Sequence, residues 1–231
     1  MEYSPLLAIF TGVFEFIAAL FVFSSPGRKR ILYPTGVLFL LLAGYQFSEV
    51  AVCFNPSELL FTRIAFFDIT WLPPLAMWLG LQLFAARKKW MAIIPLTYFA
   101  FGAALAAWVM VDPNCVTKTV CEIVIARYIS PNPFDIVYAI YYQSGLFIII
   151  FGTAACLAYE ENPVLRKHLA NLQVGILGFV LPSLMVRILV PNSGGITASV
   201  MCHFALICAV SLVFLVFRER RTISPHSFNK K

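Results

Sequence analysis

Seven apolar runs, each about 20 residues or longer, dominate this chain, and little else can be done with them than to lay them across hydrocarbon. Inside a bilayer no water is at hand for backbone N–H and C=O groups, so a spanning chain is either helical or a closed barrel. Barrel strands are short and alternate in polarity, whereas these runs are continuous, so the reading is helical. The runs cover residues 5–24, 31–54, 58–86, 90–111, 134–158, 169–190 and 196–217. With 61% hydrophobic and 12% charged residues they leave no length for a separate soluble domain. The expected fold is all-α, a seven-helix transmembrane bundle over 1–217 with a basic tail over 218–231.

The positive charge decides orientation before it suggests any partner. Arg28, Lys29 and Arg30 follow the first run, Arg87, Lys88 and Lys89 the third, Arg166 and Lys167 the fifth, and Arg218, Arg220, Arg221, Lys230 and Lys231 the seventh. These are thirteen of the 17 lysines and arginines, and seven crossings put them all on one face. Excess Lys and Arg in short loops marks the cytoplasmic side, which places the N-terminus outside and the C-terminus in the cytoplasm. The net charge of +6 is therefore read as a topology signal that also contacts anionic lipid headgroups, with no nucleic-acid partner. Met1–Pro5 shows neither a basic n-region nor a small-residue cleavage site, so the first run is expected to be kept as a span.

The longest loop, 112–133, then lies outside. Its Val116-Thr117-Lys118-Thr119-Val120 alternation predicts a small extracellular hairpin between spans four and five. Cys115 and Cys121 flank it on the oxidising side and are the candidate disulfide, with two unpaired thiols as the alternative. Cys53, Cys156, Cys202 and Cys208 fall in spans, where a lone cysteine packs as a small apolar residue.

Charged side chains within a bilayer turn to a protein interior or a wet cavity, so they are the first candidates for function. They are Glu15, Glu49, Arg63, Asp68, Arg187 and His203. Counting inward along each span sets Glu49, Arg63, Arg187 and His203 in the outer third and Glu15 and Asp68 nearer the midplane. Gln46, Glu49 and Cys53 recur at i, i+3 and i+7 and share a helix face. Tyr138, Tyr141 and Tyr142, with Gln143 beside them, sit near the outer end of span five. Together these residues form a candidate polar pocket, against the alternative that they only hold helices together or line the interface. Glu49 is expected to be neutralised by Arg63 or Arg187, since an unpaired carboxylate there would tend to protonate.

Pro73 and Pro74 remove two backbone donors and predict a kink beside Asp68 that frees the carbonyls near Ile69 and Thr70. Gly102 and Ala106 form a small-xxx-small pair suited to close helix contact within the chain or in a homo-oligomer. No cofactor is expected. Span seven has no lysine for a retinal Schiff base, and with a single intramembrane histidine and no second one to join it no metal is expected either. The same shortage separates it from the zinc-dependent intramembrane hydrolases of the ceramidase and progestin-receptor type.

Ser4, Gln46, Glu49, the Trp71-Leu72-Pro73-Pro74 stretch, Cys202, Ala205 and Ser211 carry one resemblance that runs over nearly the whole length. On these residues the chain resembles a family of small bacterial multi-pass proteins classed as a domain of unknown function. Glu2 and Met201 stand where that family's pattern has Cys and Trp. The resemblance implies a bacterial inner membrane protein and implies no activity. The functional expectation is a sensor or small-ligand-binding protein, its pocket open to an extracellular ligand and its basic ends meeting a cytoplasmic partner. An intramembrane enzyme using Glu49 with Asp68 or His203, or a proton or ion pathway along Glu15, Glu49 and Asp68, is the alternative.

Overall fold

A computed structural model describes residues 4–121, 126–189 and 197–223, apart from a few side chains in the last two segments. The helices are α1 (Leu6–Ser24), α2 (Lys29–Phe54), α3 (Leu59–Thr70), α4 (Leu72–Gln82), α5 (Ile93–Val111, preceded by a 3-10 turn, Lys89–Ala92), α6 (Phe134–Tyr159), α7 (Pro163–Leu189) and α8 (Thr197–Ile223). Two short strands, β1 (Lys118–Cys121) and β2 (Ala126–Ile129), pair antiparallel between α5 and α6. With α3 and α4 counted as one broken span, seven helical segments among the described residues are long and apolar enough to cross a membrane. This is a multi-pass, all-helical bundle with one small hairpin. Helix α8 continues past Phe217 to Ile223, so the first part of the expected tail is helix.

Lipid tails are as apolar as leucine, so such helices are held by close packing and buried hydrogen bonds more than by any hydrophobic drive. Gly102 on α5 illustrates the close packing. A Cβ there would lie 2.6 Å from the Tyr141 hydroxyl of α6, so its missing side chain is what admits Tyr141. Ala106 is 1% exposed. The small pair of α5 therefore serves a contact within the chain.

The break between α3 and α4 falls at Trp71, one residue after Thr70, as the two prolines dictate. Pro74 cannot donate to the Thr70 carbonyl, and the Tyr141 hydroxyl does so instead at 2.8 Å. The Thr70 hydroxyl turns back to Phe66 O at 2.6 Å. The freed Thr70 carbonyl is thus satisfied by a side chain from α6 and is not left for a ligand.

The hairpin has one inward face. Cross-strand partners lie on the same side of a two-stranded ribbon, so Thr119 with Tyr128 and Cys121 with Ala126 all face the bundle. Each meets it. Thr119 and Thr62 of α3 share a hydrogen bond of 2.9 Å, Cys121 is joined to Cys53 at the end of α2, Ala126 N–H donates to the Ser199 hydroxyl of α8 at 3.2 Å, and Tyr128 and Tyr45 of α2 meet hydroxyl to hydroxyl at 3.2 Å. Edge-to-face contacts of Phe66 with Tyr128, Phe134 and Tyr138, and of Trp108 with Phe134, close the space beneath.

The disulfide expected between Cys115 and Cys121 is corrected to Cys53–Cys121, with Cα atoms 5.6 Å apart. Strand periodicity supplies the reason. Cys121 shares the inward face with Thr119, two residues before it, whereas Cys115 precedes the strand and tucks its thiol toward Trp108 O at 3.7 Å. Burial, and after it the Asp112 carboxylate, push the Cys115 thiol up to about 11 against a smaller opposing pull from Arg63. It is therefore a thiol and not a thiolate near neutral pH.

Candidate functional site

Two buried polar clusters occupy the two ends of the bundle, and α8 takes part in both. At the hairpin end the cluster is built on Glu49, whose side chain is fully buried. Its Oε1 accepts a 2.7 Å hydrogen bond from the Ser199 hydroxyl, while Oε2 is buried without a partner. Ser199 in turn is held by the Ala126 amide, which makes a relay from hairpin backbone through α8 to the acid on α2. His203, one turn beyond Ser199, places Nδ1 2.6 Å from the Ser199 carbonyl and its ring within electrostatic range of Glu49. Tyr45 adjoins Glu49 and Cys202.

Gln46, one turn before Glu49, donates from Nε2 to the Cys202 carbonyl at 2.8 Å, which ties α2 to α8 below the acid. The shared face of Gln46, Glu49 and Cys53 expected from their spacing is used in full: Gln46 and Glu49 reach α8, and Cys53 reaches the hairpin. Helix α1 comes close on the same side, since a Cβ at Gly12 would lie 3.0 Å from the Gln46 Cβ. Thr11, next to Gly12, and Glu15, about one turn beyond it, are both 0% exposed, and neither the Thr11 hydroxyl nor either Glu15 carboxyl oxygen has a hydrogen-bond partner. Glu15 stands within electrostatic range of Cys202 and Cys208 on α8. A carboxyl in such surroundings requires a proton, a cation or an ordered donor to be stable there.

Other expected members are elsewhere. Asp68 lies across from Gly44 of α2, where a Cβ would sit 2.6 Å from Asp68 Oδ2. Gly44 is five residues from Glu49 and so about 140° away around α2, which separates Asp68 from the Glu49 cluster. The expected pairing of Glu49 with Arg63 is replaced by the Ser199 hydroxyl. On α3, Thr62 faces the hairpin, and Arg63, about 100° further round, turns toward Asp112 and Cys115 at the end of α5. The backbone amide of Asn114 above all, then the Trp108 indole, hold the half-buried Asp112 carboxyl below its usual range, with Arg63 adding a smaller pull. Arg187 is on α7, and its side chain lies outside the described residues. Tyr141 caps Thr70, and Tyr142 adjoins Tyr138, Cys202 and Cys208 and lines a small apolar cavity with Leu42, Pro73 and Phe179. Among the described residues no three of the His, Cys, Asp and Glu side chains converge as a metal ion would need.

The second cluster escaped the sequence reading. Glu219, 0% exposed near the end of α8, accepts from Arg28 N at 3.0 Å, Arg28 Nε at 2.7 Å and Arg28 Nη2 at 2.6 Å. His168 of α7 brings Nε2 to 3.3 Å from Glu219 Oε2, with its Nδ1 2.6 Å from Val164 O. Arg220 stacks over Phe21 at 5.2 Å, and Arg218 donates to Lys167 O at 3.3 Å. A bidentate guanidinium pair of this kind is strong and directional. The available signal was a single acid inside Arg218-Glu219-Arg220-Arg221, which an apolar-run count hides in a basic tail.

No protein-family model matches the chain, and no curated protein matches it.

Proposed function

We propose that this chain is a membrane-embedded sensor that takes a small cationic or hydrogen-bond-donating ligand at the Glu49 cluster and passes its occupancy along α8. The observation that carries the reading is that one continuous helix supplies Ser199, Cys202 and His203 at one end and Glu219 at the other. A ligand that draws the Ser199 hydroxyl or Glu49 into a new arrangement acts directly on the first turns of α8, and the Arg28–Glu219–His168 clasp is where that helix is fastened at its far end. The ligand class follows from the unpartnered groups: Glu49 Oε2 and both Glu15 oxygens are acceptors without a hydrogen bond, although the Tyr45 hydroxyl and the Ala126 amide stand near Glu49, and the unpartnered Thr11 hydroxyl can accept or donate. In this reading the hairpin end faces outward, the basic end is cytoplasmic, and the membrane is the bacterial inner membrane that the family resemblance implies.

Thermal unfolding of the purified chain with sodium, potassium, guanidinium, methylammonium and ethanolammonium tests it. At least one of these is expected to stabilise the wild type, by about 2.7 kcal/mol at a hundredfold excess over its Kd. The gain should vanish in Glu49→Gln and persist in Asp68→Asn. Equal response in both variants, or no response to any cation, goes against the reading.

The unpartnered Thr11 and Glu15 favour a second reading, in which protons pass from Glu49 past Cys202 to Glu15. A proton leak in proteoliposomes that Glu15→Gln and Glu49→Gln each abolish would support it over a sensor.

A further inference from the structure

We infer that the cleft between α4, α5 and α6 at the basic end is a binding site for one anionic phospholipid, with an acyl chain in the cleft and the headgroup phosphate on Lys88 and Lys89. The cleft has a volume of about 220 Å³ and is lined by Met77, Gly80, Trp90, Ile94, Gly152 and Cys156 among others, almost wholly by apolar atoms. Its α6 wall runs from Ile148 to Cys156, about 12 Å along the helix axis, which suits an extended hydrocarbon chain lying along the bundle. Gly152 shows that the space is open and not merely thinly packed. A Cβ built there meets no atom within 4 Å, in a helix where Gly145, two turns earlier, is pressed to within 2.8 Å of Pro73.

The charge at the mouth selects the headgroup. Arg87, Lys88 and Lys89 are exposed in the loop that leads directly into Trp90, which is itself 61% exposed at the lip of the cleft. Arg87 is partly engaged by Gln82 Oε1, which leaves Lys88 and Lys89 as the cations of this loop with no ion pair among the described residues. Glu160 at the end of α6 keeps its negative charge but is buried and turned inward, its carboxylate accepting from the amides of Ala85 and Asn162 at 2.6 and 2.9 Å. Glu161 beyond it is exposed and is the solvent-facing opposing charge. An exposed indole at the lip, an apolar groove beneath it and two exposed lysines beside it match the three parts of a phospholipid with a negative headgroup.

Native mass spectrometry of the full chain, delipidated and then offered equimolar phosphatidylglycerol and phosphatidylcholine of the same chains, is the test. One phosphatidylglycerol is expected to remain bound in preference to phosphatidylcholine. Lys88→Gln with Lys89→Gln should weaken its retention roughly tenfold or more. Gly152→Leu, which fills the cleft from a position with room for it, should remove retention while the unfolding temperature holds, and Trp90→Ala, at the exposed lip, should reduce it by a smaller factor. Equal retention of the two lipids overturns the proposal, because the cleft then takes hydrocarbon without regard to charge. Phosphatidylglycerol preference that survives both Gly152→Leu and Trp90→Ala overturns it too, since the headgroup then binds the loop alone.

Discussion

Glu219→Ala is expected to destabilise the folded chain by about 3 kcal/mol, measured by thermal unfolding in detergent, and to free the last turns of α8. The reasoning is that of a buried ion pair cut on one side. Three donors of Arg28 converge on a carboxylate with no solvent exposure, with the His168 ring 3.3 Å away, and removing it leaves the arginine donors without an acceptor and the ring without its ionic neighbour. The value lies at the low end for such cuts because the Arg28 side chain is 32% exposed and can turn its guanidinium to water, whereas His168, 1% exposed, cannot. Glu219→Gln keeps the shape and one acceptor, and should lose about half as much. Cleavage by trypsin at Arg28 should accelerate in both variants, more in the alanine one. An unfolding temperature equal to the wild type's in Glu219→Ala would remove the clasp from the account of how α8 is held.

Cys53→Ser carries the other large effect. The bridge to Cys121 closes a loop with a sequence separation of 68 residues, for which the chain-entropy model gives roughly 4 kcal/mol. In a bilayer the unfolded chain keeps its helices and is already restricted, so the measured loss should fall to about 2–3 kcal/mol. Its location matters more than its size. The hairpin covers the Glu49 cluster through Ala126 and Ser199, so releasing it should speed hydrogen exchange at the Ala126 amide well beyond any change at the basic end. Peptide mapping without reductant should recover Cys53 linked to Cys121, and Cys115→Ser should leave that link and the stability in place. A Cys115–Cys121 peptide would contradict the structure at this point.

What could be read from the sequence was whatever depends on the chain's own period or on its solvent. Span number followed from run length, because no charged residue interrupts hydrocarbon cheaply. The break at Trp71 followed from Pro73 and Pro74, whose missing donors are a local fact. The hairpin followed from alternation around Lys118, and the pairing of Gln46 and Glu49 on one face from helical spacing. What could not be read were the partners across space. Helical spacing states which face Glu49 occupies on α2 and says nothing of which helix stands opposite, so Arg63 was as good a partner as Ser199 until α3 was seen to turn that arginine toward Asp112. A serine at the start of an apolar helix carries no mark of being a ligand to a carboxylate. The disulfide shows the same limit: closeness in sequence favours Cys115, while the inward face of β1 presents Cys121 to Cys53 of another helix. Glu219 was lost because three arginines around it set the local composition, although its burial reverses what that composition suggests.

The clasp and the Glu49 relay give α8 two fastenings, one of charged groups and one of uncharged donors, Ser199 to Glu49 and Gln46 to the Cys202 carbonyl. The second is the weaker and has unused acceptors, which is why occupancy is assigned there and anchoring to the first.

The most direct measurement of the central claim is a high-resolution structure of the chain in lipid, inspected between Glu49, Glu15, Cys202 and Thr11. Ordered non-protein density within hydrogen-bonding distance of Glu49 Oε2 or of the Glu15 carboxyl is the result this account requires. A dry cluster, with both carboxyls satisfied by protein donors alone and α8 unchanged in Glu49→Gln, would contradict it and make these acids part of the packing.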